Sequence, residues 1–565
     1  PKSIAVVGAS REPEKVGHKI FRNLMDSRFR GVMYPINPKA TEILGYKCYR
    51  SVREVPDNVD LAVIAVPAQI VPTVAEECGM SGVKGITVIS AGFSETGGDG
   101  TYLERELVAI CRKYNMRMQG PNCLGIVNAR NFMNASFAAA NPLPGSISFI
   151  SQSGALGSTI LNWAFQNGIG FASFISLGNE ADLEAADFVE ALAEDDMTKV
   201  IGLYVEGVKR GERFIDIAKQ VARKKPVIAL KAGTTDVGIR AVSSHTGSLA
   251  GSDTAFSAAF KKANILRAST LEELFHLVLA FGAQPIPRGK NVLVITNGGG
   301  PGILAADACE KMNLGLPALE FELMEKLRNA LPPHASLHNP VDLLGDADEN
   351  RYGFALYAAL QSGKVDGVIV ILTPQAMTPA DKVADIVVEA KKRFPDKPLL
   401  AVFMGLDDDS YPIKTLLNNN IPNYVFPESA AYVFGAMHDY SLILGSPRED
   451  VSKILKADDE QIKEVLAEAR KDGRVNLTIE ESIKVAKACG IRLPHAMVAR
   501  NRKEAAEIAR TIGYPVVMKI VSPEILHKTD LGGVILNVNT RKDVERNYEL
   551  ILRKTRMAVP EAGIL

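Results

Sequence analysis

The sequence has 565 residues, 47% of them hydrophobic and 23% charged, and its 65 basic and 65 acidic side chains give a formal net charge of zero. This length predicts several domains, because a single hydrophobic core rarely serves more than about 250–300 residues. A balanced charge argues against a nucleic-acid or membrane-surface partner, so any anionic ligand has to be held by local groups.

The cysteine pattern and the hydropathy pattern both favour a cytoplasmic protein. Six cysteines are scattered without a Cys-x-x-Cys pair, which argues against a disulfide framework or a structural zinc site. No apolar run reaches the ~18 residues that a membrane-spanning helix requires. The first residues predict a strand rather than a signal peptide.

The chain begins with a predicted doubly wound α/β domain over residues 1–127. Short apolar runs separated by helical stretches are typical of parallel βαβ units. These runs lie at residues 3–10, 31–36, 61–66 and 85–90.

Two further α/β domains are predicted over residues 128–286 and 287–449, separated by a Pro- and Gly-containing linker at 285–289. Each begins with a buried strand, then a glycine-rich turn and a helix, so the two domains look like internal relatives. The predicted strands are 146–150, 200–205 and 226–230 in the second domain, and 291–296, 367–372 and 399–403 in the third.

The last part of the chain predicts a charged helical connector over residues 450–475 and a further domain over 476–565. That domain contains an amphipathic helix at 479–489 and a strand at 515–520. No further sheet follows the long helix near Leu565, so we expect the sequence to end inside this domain.

The carboxyl edge of the first sheet predicts a nucleotide-like ligand. The turn after the first strand lacks the full G-x-G-x-x-G pattern, and a lysine, Lys39, follows the second strand where a ribose-binding acid is usual. A lysine there favours a phosphorylated ribose, as in CoA or NADP; an ordinary turn with a surface lysine is the alternative. The predicted CoA-binding residues are Gly8, Ser10, Lys39, Val66, Pro67, Ala91 and Asn122.

Two strand-to-helix turns predict phosphate binding. Glycines let the backbone approach an anion, and a helix N-terminus supplies free N–H groups and a positive dipole end. Either turn alone could be a plain tight turn, but two in related domains indicate one phosphate bound from both sides. The predicted residues are Ser151, Ser153, Gly154, Gly298, Gly299 and Gly300.

His245 lies in a run of small and hydroxyl-bearing residues at 242–251. Such surroundings suit an imidazole that meets a tetrahedral anion better than a core histidine. A phosphate carrier, a general base and a plain loop residue all remain open. A carrier needs a carboxylate to hold its second ring nitrogen, and Glu206, which follows a predicted strand, is the candidate. A solvated loop glutamate is the alternative for Glu206.

A second histidine, His527, also lies in a polar loop and precedes the glycine pair Gly532 and Gly533. Lys519, at the end of the preceding strand, can reach nucleotide phosphates as a point charge. The other six histidines show no metal-ligand spacing, and we interpret them as structural or surface residues.

These motifs together resemble the ADP-forming acyl-CoA synthetases of the NDP-forming acid–CoA ligase family, which are related to succinyl-CoA synthetase. The resemblance covers essentially the whole chain. Its most specific part is the Ser-His-Thr-Gly-Ser-Leu-Ala-Gly string, whereas the glycine turns are individually unspecific. The matching segments are 8–10, 34–39, 120–125, 151–154, 243–251, 297–302, 339–342 and 527–534.

The resemblance implies a multidomain α/β fold: a Rossmann-like CoA-binding domain, two flavodoxin-like ligase domains and the N-terminal part of an ATP-grasp domain. It implies that His245 becomes a phosphohistidine, that Glu206 orients it, and that His527 is a second carrier. Gly178 and Asn179 are expected to border the acyl pocket. The family's Mg²⁺-binding carboxylates belong to the half of the ATP-grasp domain that this sequence lacks, so no metal ligand is assigned.

The implied reaction joins a short-chain carboxylic acid to CoA, with conversion of ATP to ADP and phosphate. Acetate, propionate and hydroxy-acids such as 3-hydroxypropionate or 4-hydroxybutyrate remain open, as does ATP against GTP. A homodimer without nucleic-acid or membrane partners is expected. The alternatives are a protein acetyltransferase with a synthetase-like regulatory region and a non-catalytic acyl-CoA sensor. The presence of both His245 and His527 argues against a sensor.

Overall fold

A computed structural model describes residues 1–240, 252–447, 457–525 and 528–564. They fall into two units, Pro1–Ser446 and Pro447–Leu565. In the part of the chain that is described, no helix is long and apolar enough to span a membrane. All six cysteines are free, and five of them are buried.

The first domain of the larger unit is built on a parallel five-stranded sheet of order β2-β1-β5-β6-β7. Every residue of its first strand is buried, as expected for a sheet covered by helices on both faces. Its elements are β1 Ser3–Val7, α1 Val16–Asp26, β2 Val32–Ile36, β3 Glu42–Ile43, β4 Tyr46–Lys47, β5 Leu61–Ile64, α2 Val71–Met80, β6 Gly85–Val88, α3 Gly98–Lys113 and β7 Arg117–Gln119.

The direction of winding reverses between β1 and β5, and ligands of such sheets bind at the carboxyl ends of the strands at this point. Gly8 follows β1 with φ +91°, and a Cβ there would lie 2.3 Å from the Ala65 carbonyl oxygen. Only glycine allows these two strand ends to approach so closely.

The second domain contains a seven-stranded sheet of order β14-β13-β12-β10-β11-β8-β9. Its elements are β8 Gly125–Asn128, β9 Met133–Ser136, β10 Leu143–Ser151, α4 Gly154–Gln166, β11 Gly170–Ser176, α5 Ala185–Ala193, β12 Val200–Val205, α6 Gly211–Val221, β13 Val227–Lys231, α7 Asp253–Lys262, β14 Leu266–Ala268 and α8 Leu271–Ala283.

The antiparallel strands β8 and β9 were not predicted. They come from the connection between the first two domains, and β8 pairs with β11. At four residues each they are too short for a clear hydrophobic period. The predicted boundary at 127/128 falls inside β8, so we propose a boundary just before Gly125.

The third domain has a parallel four-stranded sheet of order β16-β15-β17-β18. Its elements are β15 Val292–Thr296, α9 Gly299–Lys311, α10 Phe321–Ala330, β16 Val341–Asp342, α11 Glu349–Gln361, β17 Gly367–Leu372, α12 Ala380–Arg393, β18 Leu399–Phe403, α13 Tyr411–Asn418 and α14 Pro427–Gly445. One hydrophobic core joins it to the second domain and includes the fully buried Phe149 of β10 and Phe434 of α14.

The second and third domains share local geometry at the end of their first parallel strands, β10 and β15. The Ser151 hydroxyl donates to the Ser153 carbonyl oxygen at 2.8 Å, and the Thr296 hydroxyl donates to the Gly298 carbonyl oxygen at 2.9 Å. In both sheets this strand lies between the next two parallel strands in chain order. These similarities support the interpretation of the two domains as internal relatives.

The smaller unit contains α15 Asp459–Lys471, α16 Ile479–Ala488, α17 Arg502–Ile512, β19 Val516–Lys519, β20 Val534–Val538 and α18 Arg541–Ala558. The two strands are antiparallel. Helix α16 begins at Ile479, where the amphipathic pattern predicts its start. Its N-terminus has a capping box, in which the Thr478 and Glu481 side chains each accept from the other residue's backbone N–H.

Candidate active site

Four parallel strands of the second sheet end at one edge and bring several predicted residues together. The backbone N–H of Leu177 donates to the Ser151 carbonyl at 2.8 Å, and that of Ala232 donates to the Val205 carbonyl at 2.9 Å. The turns that follow β10, β11, β12 and β13 are therefore neighbours. Residues 151–154, 178–180, 206–207 and 231 lie at this edge.

Helix α4 begins in the middle of this edge. Ser153 is its N-cap, and the Ser153 hydroxyl oxygen accepts from the Leu156 N–H at 3.3 Å. A Cβ on Gly154 would meet its nearest neighbour, the Leu124 nitrogen, only at 3.7 Å. The first N–H groups of a helix have no partner within the helix, and together with the positive dipole end they make this helix start suitable for an anion.

The Gln152 side chain fixes the adjacent turn at residues 206–207. Its Nε2 donates to the Gly207 carbonyl at 2.7 Å and to Glu180 Oε2 at 2.8 Å. Its Oε1 accepts from the Gly207 N–H at 3.0 Å and from the Glu206 N–H. Sequence analysis missed this residue, although an amide between two serines at a strand end was a usable signal.

Glu206 is buried, with only 7% of its surface exposed, so it is not a solvated loop glutamate. Its charge adds to burial in raising the pKa of Tyr204. Lys231, at the end of β13, is also buried, and burial lowers the pKa of its ammonium, while the charges of Asp253 and Glu206 oppose that shift. A carboxylate and an ammonium thus share this edge.

His245, the predicted carrier, belongs to residues 241–251, which lie outside the described residues. The structure describes the elements that flank this stretch: strand β13, which ends at Lys231, and helix α7, which begins at Asp253.

Glu180 is a second buried carboxylate at this edge, and sequence analysis did not single it out. Its Oε1 accepts from the Ala185 N–H at 2.9 Å, and its φ of +52° is unusual for a non-glycine residue. Burial raises the pKa of Glu180 to about 7, despite hydrogen bonds from Ala185 and Gln152 and the nearby Lys209, which act in the opposite direction.

The two residues predicted to border the acyl pocket contact the first domain. A Cβ on Gly178, which has φ +61°, would lie 2.1 Å from the Pro121 carbonyl oxygen. Asn122 Nδ2 donates to Asn179 Oδ1 at 3.3 Å. The structure therefore brings together Asn122, predicted for CoA, and Asn179, predicted for the acyl group.

The Asn179 amide nitrogen also donates to Glu95 Oε2 at 2.5 Å and to Glu104 Oε2 at 2.9 Å. Burial alone would raise the pKa of Glu95, but hydrogen bonds from Asn179 and from the backbone N–H groups of Gly92 and Phe93 lower it. These contacts tie the second domain to an acidic pair in the first.

The remaining predicted CoA-binding residues follow neighbouring strand ends of the first sheet. Gly8 and Ser10 follow β1, Val66 and Pro67 follow β5, and Ala91 follows β6. The backbone N–H of Asn122 donates to the Ser90 carbonyl at 3.0 Å, which places residue 122 at the same edge. Lys39 is exposed beyond β2. A glycine turn with an exposed cation at an open sheet edge fits a phosphorylated nucleotide.

The second predicted phosphate-binding turn is less favourable for an anion. Gly298 caps helix α9, and a Cβ on Gly299 would lie 3.5 Å from the Asp342 carboxylate. That carboxylate disfavours a second negative charge nearby. Gly300 is open, with no atom within 4 Å of its ideal Cβ. A phosphate shared between the two helix starts therefore stays a prediction.

In the smaller unit, Lys519 is the exposed last residue of β19 and pairs with Val534 of β20. Gly532 has φ +65°, and the Gly533 N–H donates to the Lys528 carbonyl at 2.8 Å, so these glycines close the loop before β20. The predicted second carrier, His527, lies outside the described residues.

No group of three or more His, Cys, Asp or Glu side chains suited to a metal ion occurs among residues 1–240, 252–447, 457–525 and 528–564.

Four family models match the chain in succession. They are a CoA binding domain over residues 2–129, a succinyl-CoA ligase like flavodoxin domain over 144–281, a ligase-CoA domain over 292–443 and an ATP-grasp domain over 468–565.

Two similar proteins align with this chain over its whole length. An acetate–CoA ligase (ADP-forming) I of Archaeoglobus fulgidus is 42% identical over 564 residues, covering 100% of this chain and 80% of the relative. A 4-hydroxybutyrate–CoA ligase (ADP-forming) of Nitrosopumilus maritimus is 38% identical, covering 100% of this chain and 81% of the relative.

A solved structure is also similar. It is the dinucleotide forming acetyl-coenzyme A synthetase 1 of Ca. Korarchaeum cryptofilum in complex with phosphate and ADP. Its TM-score is 0.76 at 40% sequence identity, and the match covers 79% of this chain and 96% of that chain.

Proposed function

Because the chain belongs to the family of ADP-forming acyl-CoA synthetases, we propose that His245 carries a phosphoryl group at the carboxyl edge of the second sheet and that Glu206 orients it. The protein is an ADP-forming ligase that converts a carboxylic acid, CoA and ATP into acyl-CoA, ADP and phosphate. Neither the acetyltransferase nor the sensor alternative has support among these relatives.

The chemistry requires an activated acid, because a free carboxylate is a poor electrophile. In the direction of thioester synthesis, a carboxylate oxygen attacks the phosphorus of the phosphohistidine, and the imidazole leaves. The thiolate of CoA then attacks the carbonyl carbon of the acyl phosphate, and phosphate leaves. Each step breaks one bond as it forms another, so one difficult reaction becomes two easier ones.

The observation that carries the proposal is the start of helix α4 beside the buried Glu206. The helix N–H groups and the Ser153 hydroxyl stabilise charge on phosphoryl oxygens. Ser151 uses its own hydrogen on the Ser153 carbonyl, so it shapes the turn rather than donating to an anion. A buried carboxylate on one imidazole nitrogen leaves the other nitrogen nucleophilic.

The finer assignments are also proposals. Acetate is the first acid to test, followed by 4-hydroxybutyrate, because these acids appear in the names of two relatives. His527 is proposed as the second carrier, and Lys519, Gly532 and Gly533 as contacts to ATP. The homodimer stays a prediction, and a measurement of the protein's molecular mass in solution would test it. Mg²⁺ is assigned no ligand and no step.

The proposal is tested by running the second half of the reaction backwards. The protein is incubated with acetyl-CoA and ³²P-labelled phosphate, without nucleotide. We expect one base-stable, acid-labile label per chain, on His245, together with stoichiometric free CoA. The proposal is wrong if the label is absent with every acyl-CoA tried, or if it lies on a residue that is neither His245 nor the second proposed carrier, His527.

Lys39 provides a test of the CoA site. The substitution Lys39→Ala is expected to raise the Kd for CoA about 3- to 10-fold, equivalent to about 0.7–1.4 kcal/mol, because it removes the exposed cation proposed to meet the ribose phosphate. Calorimetric titration measures this change. Dephospho-CoA, which lacks that phosphate, should bind wild type and variant equally, and a loss of the same size with both ligands would contradict the assignment.

A further inference from the structure

A partly buried chain of hydrogen bonds joins the first domain to the turn that carries Glu206. It runs through residues 178–185, here called the bridging segment. Asn179 binds the acidic pair of the first domain, Glu180 accepts from Gln152, and Gln152 holds the backbone of residues 206–207. The proposed function uses neither Glu180 nor this connection.

We propose that Glu180 is a positioning residue, which by accepting the hydrogen bond of the Gln152 amide fixes the Glu206 turn and so the orientation of the phosphoryl-carrying histidine. This inference rests on the proposed function, because it assumes that Glu206 orients His245. Glu180 itself touches no reacting atom.

The geometry leaves Gln152 little freedom while Glu180 is in place. Its amide oxygen accepts two backbone N–H groups of the 206–207 turn, and its nitrogen divides its two hydrogens between Gly207 and Glu180. All four interactions are satisfied in one amide orientation only. Without the carboxylate, one partly buried N–H of the Gln152 amide loses its acceptor, and the amide can rotate away from the turn.

The backbone conformation of Glu180 indicates that its side chain has to point in a particular direction. The residue adopts φ +52°, a left-handed conformation that is unfavourable for a non-glycine residue. The Lys209 ammonium donates to the main-chain carbonyls of Asn179 at 2.9 Å and Glu180 at 3.0 Å and holds the segment in this shape. The strained backbone points the carboxylate at Gln152 and the start of α5.

The protonation state of the Glu180 carboxyl determines the strength of the hydrogen bonds that it accepts. The ionised carboxylate accepts from both Gln152 and the Ala185 N–H, and a proton on either oxygen makes the carboxyl a weaker acceptor. Of the neighbouring groups, Lys209 favours the ionised form and Glu184 disfavours it. Because burial raises the pKa to about 7, the connection is strongest above this pH and weakens as the pH falls through 7.

The test compares Glu180→Gln with wild type in the acetyl-CoA and labelled-phosphate reaction, from about pH 5.5 to about pH 8.5. The ratio of the two rates is used because phosphate and the carrier histidine titrate in the same range. We expect wild type to be about 10-fold faster at pH 8 and the ratio to approach 1 below pH 6. Glu190→Gln on α5, with a carboxylate that is 65% exposed, serves as the matched control and should follow wild type.

A ratio near 1 throughout, or a ratio that does not change with pH, overturns the inference. If Glu180→Gln does not fold, Gln152→Met decides, because it breaks the same connection and leaves the bridging segment intact. That variant should be labelled more slowly than wild type at pH 8, and the ratio of the two rates should approach 1 below pH 6. Wild-type behaviour of Gln152→Met overturns the inference equally. Absence of label on wild type would instead overturn the proposed function, so the two failures are distinguishable.

Discussion

The substitution His245→Ala is expected to lower the rate of ADP formation from ATP, CoA and acetate by at least about a thousandfold, or about 4 kcal/mol of transition-state stabilisation. The reason is that the covalent carrier between the two half-reactions is missing in this variant. Coupled assay of ADP release measures the rate.

The partial reactions separate this role from a general loss of the site. Acetyl-CoA and phosphate should still release CoA slowly in the variant, since phosphate attacks the thioester without the imidazole, but no label should remain on the protein. His334→Ala, which changes an exposed histidine of the third domain, is the control and should keep full activity. Normal turnover of His245→Ala would refute the carrier mechanism.

Gly178→Ala is expected to destabilise the larger unit by about 2–4 kcal/mol. Two effects add. First, the backbone at Gly178 has φ +61°, which is unfavourable for alanine. Second, the new Cβ would lie 2.1 Å from the Pro121 carbonyl oxygen and 2.7 Å from the Asn122 carbonyl oxygen. The contact between the first domain and the bridging segment has to open, so activity should fall as well. Differential scanning calorimetry measures the shift of the unfolding transition.

Gly168→Ala separates the collision from the backbone effect. Gly168 has a similar φ of +67°, but nothing lies within 4 Å of its ideal Cβ. We expect a cost of about 1 kcal/mol and unchanged activity. Equal costs for the two variants would mean that the approach of residues 121–122 to Gly178 contributes little to stability.

The order of elements was predictable because buried parallel strands are continuous apolar runs with turn residues at their ends. The runs at 3–10, 200–205 and 367–372 correspond to β1, β12 and β17 within a few residues. Strands β3, β4, β7, β8, β9, β14 and β16 were missed because two to four residues are too few to show a hydrophobic period. Strands β11 and β20 were also missed, although at seven and five residues they are as long as the strands that were predicted.

Parts of the candidate site were predictable for the same reason. Carboxyl ends of parallel strands meet at one edge, so residues 151–154 and Glu206 could be placed together from their positions after β10 and β12. The burial of Glu206 could not be predicted, because it depends on Gln152 and on the ends of adjacent strands.

The sequence alone therefore determined the order of domains, the family and the two candidate carrier histidines, since these depend on local patterns and on strings as specific as residues 243–251. Tertiary structure alone decided which side chains share an environment. It brought Asn179 to Glu95 and Glu180 to Gln152 across 84 and 28 residues of chain. The raised pKa of Glu180 arises from burial among segments distant in sequence, which no local pattern encodes.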